Sequence, residues 1–256
     1  MSKRIVGLTL LIVLAGSVVL AQNPPVRTPT ETTRLFYQML REKKFREAFG
    51  LSIYRSAIES LSQQEFEDLR PDFEKMALAV SEKIPDKIDV SGEQISGDVA
   101  TVFVKVLDPD GKEKVEPAAL IKVDNAWIIG DKENLELVKK AGKQFFFEAR
   151  INAHHSDVQD MMTRISLAEV LYSQNHNGQF GNTAELIAAG AVPKDIEGTE
   201  STGYKFQINR AADGKSWYAT AEPAQYGRTG RLSFYLDATG VRSGDNGGKP
   251  LVVKSQ

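Results

Sequence analysis

Apolar residues recur at helical spacing from residue 28 to about 80, alternate with polar ones from about 87 to 130, and then repeat that order once more. Thr28-Pro29-Thr30-Glu31 supplies a capping hydroxyl, a proline at the first helical position and a glutamate three residues after the cap. The helix predicted from there brings Leu35, Phe36, Met39 and Leu40 to one face. "KKFREAFGL" continues as a short helix with Phe45, Ala48 and Phe49 inward, and Ser62-Gln63-Gln64-Glu65 is a second capping box. Pro71 is expected to break or restart that third helix, because it lacks the N–H the ladder needs.

From Lys87 the period becomes two, and "KIDVSGEQIS", "DVATVFVKVLD", "EKVEPAALIKVD" and "AWIIGD" read as four strands. Asp110-Gly111 and Asp124-Asn125 supply hairpin turns. Val102, Val104 and Val106 share one face of their strand while Phe103 and Leu107 occupy the other, which places that strand inside a sheet. A helix over 131–142 follows, and then a long helix beginning near Phe145. Ile151, Val158, Met162, Ile165, Ala168 and Tyr172 form its stripe, with Met161 and Leu171 widening it. After a break at Gly178, Asn182 caps a short helix that stops at Gly190. Three strand-like runs close the pattern: "GYKFQINR", "SWYATAEPA" and "RLSFYLDATGVR", the first pair turning at Asp213-Gly214. Helices followed by strands, twice over, predict an α+β fold in two domains, over 28–142 and 143–243, with a flexible tail over 244–256.

Composition adds a compartment. Lys3 and Arg4 precede an apolar run from Ile5 to Leu14, and Val19-Leu20-Ala21 offers small or aliphatic residues before Gln22. That layout is read as a signal peptide over 1–21, cut near Ala21, followed by a linker over 22–27. The alternative, a retained anchor, is disfavoured because spanning a bilayer takes about 20 apolar residues. The expectation is export to the periplasm or beyond, with no stable membrane insertion after cleavage. The chain has no cysteine, so apolar burial must hold both cores without disulfides. A net charge of −2 argues against a nucleic-acid partner.

Two families are suggested by the residues. "TPTETTRLFYQMLREKKFREAFGLS" and the strand block ending in Trp127-Ile128-Ile129 resemble small exported domains of the nuclear-transport-factor-2-like (NTF2-like) fold, over residues 28 to about 140. That resemblance implies a cystatin-like cone, a curved sheet wrapped on helices, with an apolar pocket lined by Phe36, Tyr37, Leu40, Tyr54 and Phe73. The long helix, "YSQNHNGQFGN", "ELIAAGAV", "TGYKFQI", "WYATAEP" and "RLSFYLDATGVR" resemble, in that order, the globular head of type IV pilins and secretion pseudopilins over 148–243. The prepilin-peptidase site and apolar half-helix of pilins are missing, and another domain precedes the head. The function expected from these resemblances is that of an exported, non-enzymatic scaffold. Its pilin-like domain would dock to an envelope or secretion-system protein. The alternative is a small-molecule binder using the cone pocket, with acid/base catalysis third.

Candidate chemistry is sparse. His154 and His155 are adjacent on a helix and point about 100° apart, so they cannot ligate one ion as an i,i+4 pair would. His176 lies in a loop of turn residues. Asp108 and Asp110 have the oxygen spacing that opens a calcium loop but lack the bidentate glutamate that closes one, and Asp237 beside "SGDNGG" is a second candidate. All three aspartates read first as turn residues, and no cofactor is expected. For acid/base work Asp72 or Glu74 would have to approach Tyr37 or Tyr54. No nucleophile elbow, activated hydroxyl or glycine-rich phosphate loop occurs.

Overall fold

The computed structural model describes residues 26–83, 88–199 and 202–251, so the expected leader and most of the expected linker lie outside the described residues. Among the described residues the first lobe opens with helices α1 (Pro29–Arg41), α2 (Phe45–Gly50), α3 (Arg55–Glu59) and α4 (Gln63–Lys83). A sheet of β1 (Val90–Ser96), β2 (Val99–Leu107), β3 (Glu113–Val123) and β4 (Ala126–Ile129) follows, antiparallel and in sequence order. Helices α5 (Lys132–Ala141) and α6 (Gln144–Asn175) lead to the second lobe. There α7 (Thr183–Ala188) precedes a second antiparallel sheet, β5 (Tyr204–Arg210), β6 (Trp217–Pro223), β7 (Leu232–Asp237) and β8 (Gly240–Asp245), again in sequence order. The fold class is α+β.

Local chemistry accounts for most boundaries. Thr28 and Glu31 close the capping box of α1 reciprocally, at 3.1 and 2.8 Å, and Asn182 and Glu185 do the same for α7 at 3.0 and 2.9 Å. The β3–β4 hairpin turns on Asp124 (φ 49°) and Asn125 (φ 61°), two residue types that tolerate the left-handed region. β2 lies between β1 and β3, with Val102, Val104 and Val106 buried. Mutual hydrogen bonds between β4 and the 51–53 turn, Ile53 N to Ile129 O and Ile129 N to Leu51 O at 2.9 Å each, pin the helical layer to the sheet edge.

Four features depart from the sequence reading. Pro71 does not break α4, which runs unbroken through it. The proline lies on the solvent side, and burial of Phe66 and Leu69 before it and Phe73 and Ala77 after it offsets the lost backbone bond. The inward face of α1 is rotated: Thr32 and Thr33 are buried with Phe36 and Leu40, whereas Leu35 and Met39 are half-buried. Thr33 fits because its hydroxyl donates to Pro29 O at 2.9 Å. "RLSFYLDATGVR" is two strands, turned where Asp237 Oδ1 accepts from Thr239 N at 2.8 Å and Gly240 takes φ 119°. The tail expected from 244 starts inside β8, and Ser233 Oγ donates to Lys249 O at 2.7 Å, holding the chain beyond it.

One core lies between the first-lobe helices and β3–β4, a smaller one against β2 and β3, and a third between α6 and the second sheet. α6 serves two of them. Phe146 and Phe147 pack in the first lobe, and Val158, Met162, Ile165 and Ala168 in the second. At about 1.5 Å per residue the 32 residues of α6 are a rigid rod common to both lobes. Arg150, 8% exposed, reinforces the junction by donating to Asp72 at 2.7 Å and Asp68 at 3.1 Å on α4.

Candidate functional site

The interior of the first lobe is filled by aromatic rings. Phe73 stands at the centre, with ring centroids 5.6 Å from Phe45, 5.2 Å from Phe49, 5.7 Å from Phe66 and 5.1 Å from Phe146. These tilted and edge-on contacts suit the ring quadrupoles. Of the five residues expected to line a pocket, Phe36, Leu40 and Phe73 are buried in this core. Tyr54 is half-buried beside it, 5.1 Å from Phe145 and 6.0 Å from Phe49 between centroids. Burial, and then the Asp131 carboxylate, raise its phenol above the ordinary 10.

Tyr37, half-buried at the margin of this core, also borders a recess. The recess, of about 250 Å³, lies between α4 and the sheet and is lined as well by Met76, Val80, Lys83, Val104, Val106 and Glu116. The Tyr37 phenol is also raised above 10, by burial first and then by Glu116. The recess is therefore apolar, with one hydroxyl, one carboxylate and one ammonium at its walls. At this pH-insensitive setting Tyr37 can donate or accept a hydrogen bond but is a poor proton carrier near neutrality.

The other proposed actors are committed to structure. Asp72 accepts from Arg150 and Glu74 pairs with Lys43 at 3.5 Å, so neither approaches Tyr37 or Tyr54 as an acid/base partner. Asp108 Oδ1 accepts from the amides of Asp110 and Lys112 at 2.9 and 2.8 Å, the pattern of a side-chain-closed turn. Asp237 closes the β7–β8 turn, its pKa held below 3.8 chiefly by the Thr239 hydroxyl. Among the described residues no group of three or more histidine, cysteine or acidic side chains is placed to hold a metal ion. His176 stacks on Tyr172, centroids 3.8 Å apart, and its Nδ1 lies 2.8 Å from Tyr172 O. His154 and His155 face the segment between β6 and β7, on the same helix as Glu148.

One titratable group is missing from the sequence reading. Glu169 on α6 is fully buried, accepts from Gly181 N at 2.8 Å through Oε2, and has no hydrogen-bond partner at Oε1. Burial pushes its carboxyl up to about 7, with the Gly181 amide and Arg210 working against that rise. The signal was present in the spacing: Glu169 lies four residues after Ile165 and three before Tyr172, on the helix's inner stripe. A second such carboxyl, Glu222 on β6, is 8% exposed with Oε2 unpartnered, and burial raises it too.

No family model and no curated protein matches the chain. Among solved structures, a Campylobacter jejuni protein given the provisional description NTF2-like transpeptidase aligns over 41% of this chain and 100% of its own. The identity is 16% and the TM-score 0.30, a level of likeness that assigns neither a fold nor an activity to this chain.

Proposed function

We propose that this is an exported, non-catalytic interaction module. Its NTF2-like first lobe acts as a solid support, and its pilin-like second lobe docks to an envelope or secretion component. The observation that carries this reading is the packed interior of the first lobe: Phe73 sits among four rings, and Phe36, Leu40 and Phe73, three of the five residues expected to line a pocket, are buried in that core. A catalyst would also need a positioned titratable pair, and Asp72 and Glu74 are held in ion pairs instead. A rigid helix common to both lobes suits a part whose task is to hold one surface relative to another.

A second reading rests on Tyr37. The half-buried phenol beside Glu116 in the 250 Å³ recess favours a small, largely apolar ligand carrying one polar group. Native mass spectrometry of the protein gently extracted from its own cell envelope separates the two. A retained protein partner, lost on alteration of second-lobe surface residues, supports the docking role. A retained small molecule, lost in Tyr37→Phe, replaces it with the binder.

A further inference from the structure

We propose that the two lobes are joined by a proton-sensitive latch. Neutral His155 holds the 224–231 segment of the second lobe against the first, and protonation of His155 releases it. Two adjacent imidazoles meet opposite demands. His154 Nδ1 lies 2.8 Å from the carbonyl oxygen of Thr229, so that nitrogen carries a hydrogen and donates whether or not the ring is charged. His155 Nε2 lies 3.2 Å from Arg231 N and 3.4 Å from Leu232 N. Both of these are amide donors, so Nε2 must be the bare, accepting nitrogen. A proton there removes the acceptor and sets N–H against N–H.

The segment that His155 holds is also what grips the first lobe. Arg228 lies over the Phe147 ring, 4.2 Å from its centroid, and 3.6 Å from the Glu65 carboxylate on α4. Glu65 is gripped as well by Lys143 at 2.9 Å. Arg231, next to the His155 contact, donates to Glu148 on the first turns of α6 at 2.7 Å. Local adjustment is blocked by close packing. A side chain at Gly230 would run into the Tyr204 ring, and one at Gly203 would meet His154 at 2.6 Å and Thr229 at 2.8 Å. The segment is therefore close-packed against α6 and the start of β5.

The charges facing His155 all oppose the imidazolium or are spent elsewhere. His154 on the same helix and Arg231 on the segment repel it, and the Tyr204 ring lies edge-on at 6.3 Å. Glu148 is paired with Arg231, and Asp245 on β8 accepts the Tyr226 hydroxyl at 3.0 Å. Burial, then His154 and Arg231, accordingly hold His155 below the ordinary 6.5. A base depressed in the latched state contributes stability that is present above its free pKa and lost as pH falls through the latched value. The latch is closed at neutral pH and opens in acid.

Hydrogen–deuterium exchange on the full chain tests this, with exchange times scaled for the intrinsic pH dependence. The 224–232 amides are expected to lose protection between about pH 7.5 and about pH 5, by up to about thirtyfold, the ceiling that linkage sets for a base whose free value is about 6.5, while β2 and β3 stay protected. His155→Gln, which keeps an acceptor that cannot charge, is expected to stay protected at both. Unchanged protection in the native chain overturns the proposal, as does an equal acid loss in His155→Gln. Should His155→Gln be unprotected already at neutral pH, histidine NMR decides. The Leu232 amide must shift with the same midpoint as the His155 ring, and separate midpoints overturn the latch.

Discussion

Replacing Glu169 by glutamine isolates one buried charge. In the native chain the carboxyl is fully buried, receives one hydrogen bond from Gly181 N, and leaves Oε1 unpartnered. Its pKa of about 7, against an ordinary 4.5, means that the folded state binds the proton more tightly than the unfolded chain does. That contribution to stability is complete below about pH 4.5 and is lost as pH rises through 7. At about 1.4 kcal/mol per pH unit, the loss across this window is roughly 3 kcal/mol. Glutamine keeps the acceptor for Gly181 N and cannot ionise, but its amino group inherits the unpartnered position, at a pH-independent cost of about 1–3 kcal/mol. The difference between the two proteins therefore changes sign or shrinks with pH rather than staying constant. Urea unfolding from about pH 4.5 to 8.5 measures it. Trp217 of the second core is the reporter in a Trp127→Phe background, since both tryptophans are buried. With a urea m-value of about 2–3 kcal/mol/M, the midpoint difference should drift by about 1 M in favour of the variant. Because the same substitution background carries every other titrating group, those cancel. Parallel pH profiles would refute the reasoning and show that Glu169 is solvated by water or by a proton donor.

Three further outcomes are expected. Phe73→Ala removes the ring that touches four others and should cost about 3–5 kcal/mol, read as a lowered thermal midpoint of the first lobe. Gly130→Ala should cost about 1–3 kcal/mol, because φ is 124° and the added Cβ would run into the Ile53 side chain. The same change at Gly142, which has open space despite φ 54°, should cost less, and comparing urea midpoints separates strain from collision. Arg150→Ala should lower stability by about 1–3 kcal/mol and weaken the coupling between lobes, seen as two separated calorimetric transitions where the native chain gives one.

Much of the fold was legible because it is written locally. The capping boxes at Thr28 and Ser62, the Asn182 cap and the Asp124-Asn125 turn each depend on residues within three positions of one another, and each appears in the structure. β2 declared itself an inner strand by being apolar on both faces. The errors came where a local rule met tertiary packing. Pro71 is tolerated because its neighbours on α4 are buried on the opposite side, and Thr32 and Thr33 are inward because the sheet lies on that side of α1. Helix α3, five residues long, is too short to show a period.

The site divides along the same line. Sequence alone determined that two α+β patterns follow one another and that no cysteine stabilises either, and it offered only incomplete loop sites, at Asp108, Asp110 and Asp237, as metal candidates. It could name Phe36, Tyr37, Leu40, Tyr54 and Phe73 together, because they share helical faces, but could not say which face a void and which face one another. Only the tertiary structure decided that Phe73 sits among rings while Tyr37 borders a recess. Only it could bring Glu65, Glu148 and Arg228 to one junction, or show that His154 donates where His155 accepts. Helix and turn chemistry is fixed by neighbours a few residues away. Desolvation, ring packing and ion pairing depend on distances between separate segments, from Glu169 and Gly181, 12 residues apart, to Glu65 in the first lobe and Arg228 in the second, which no periodicity along the chain records.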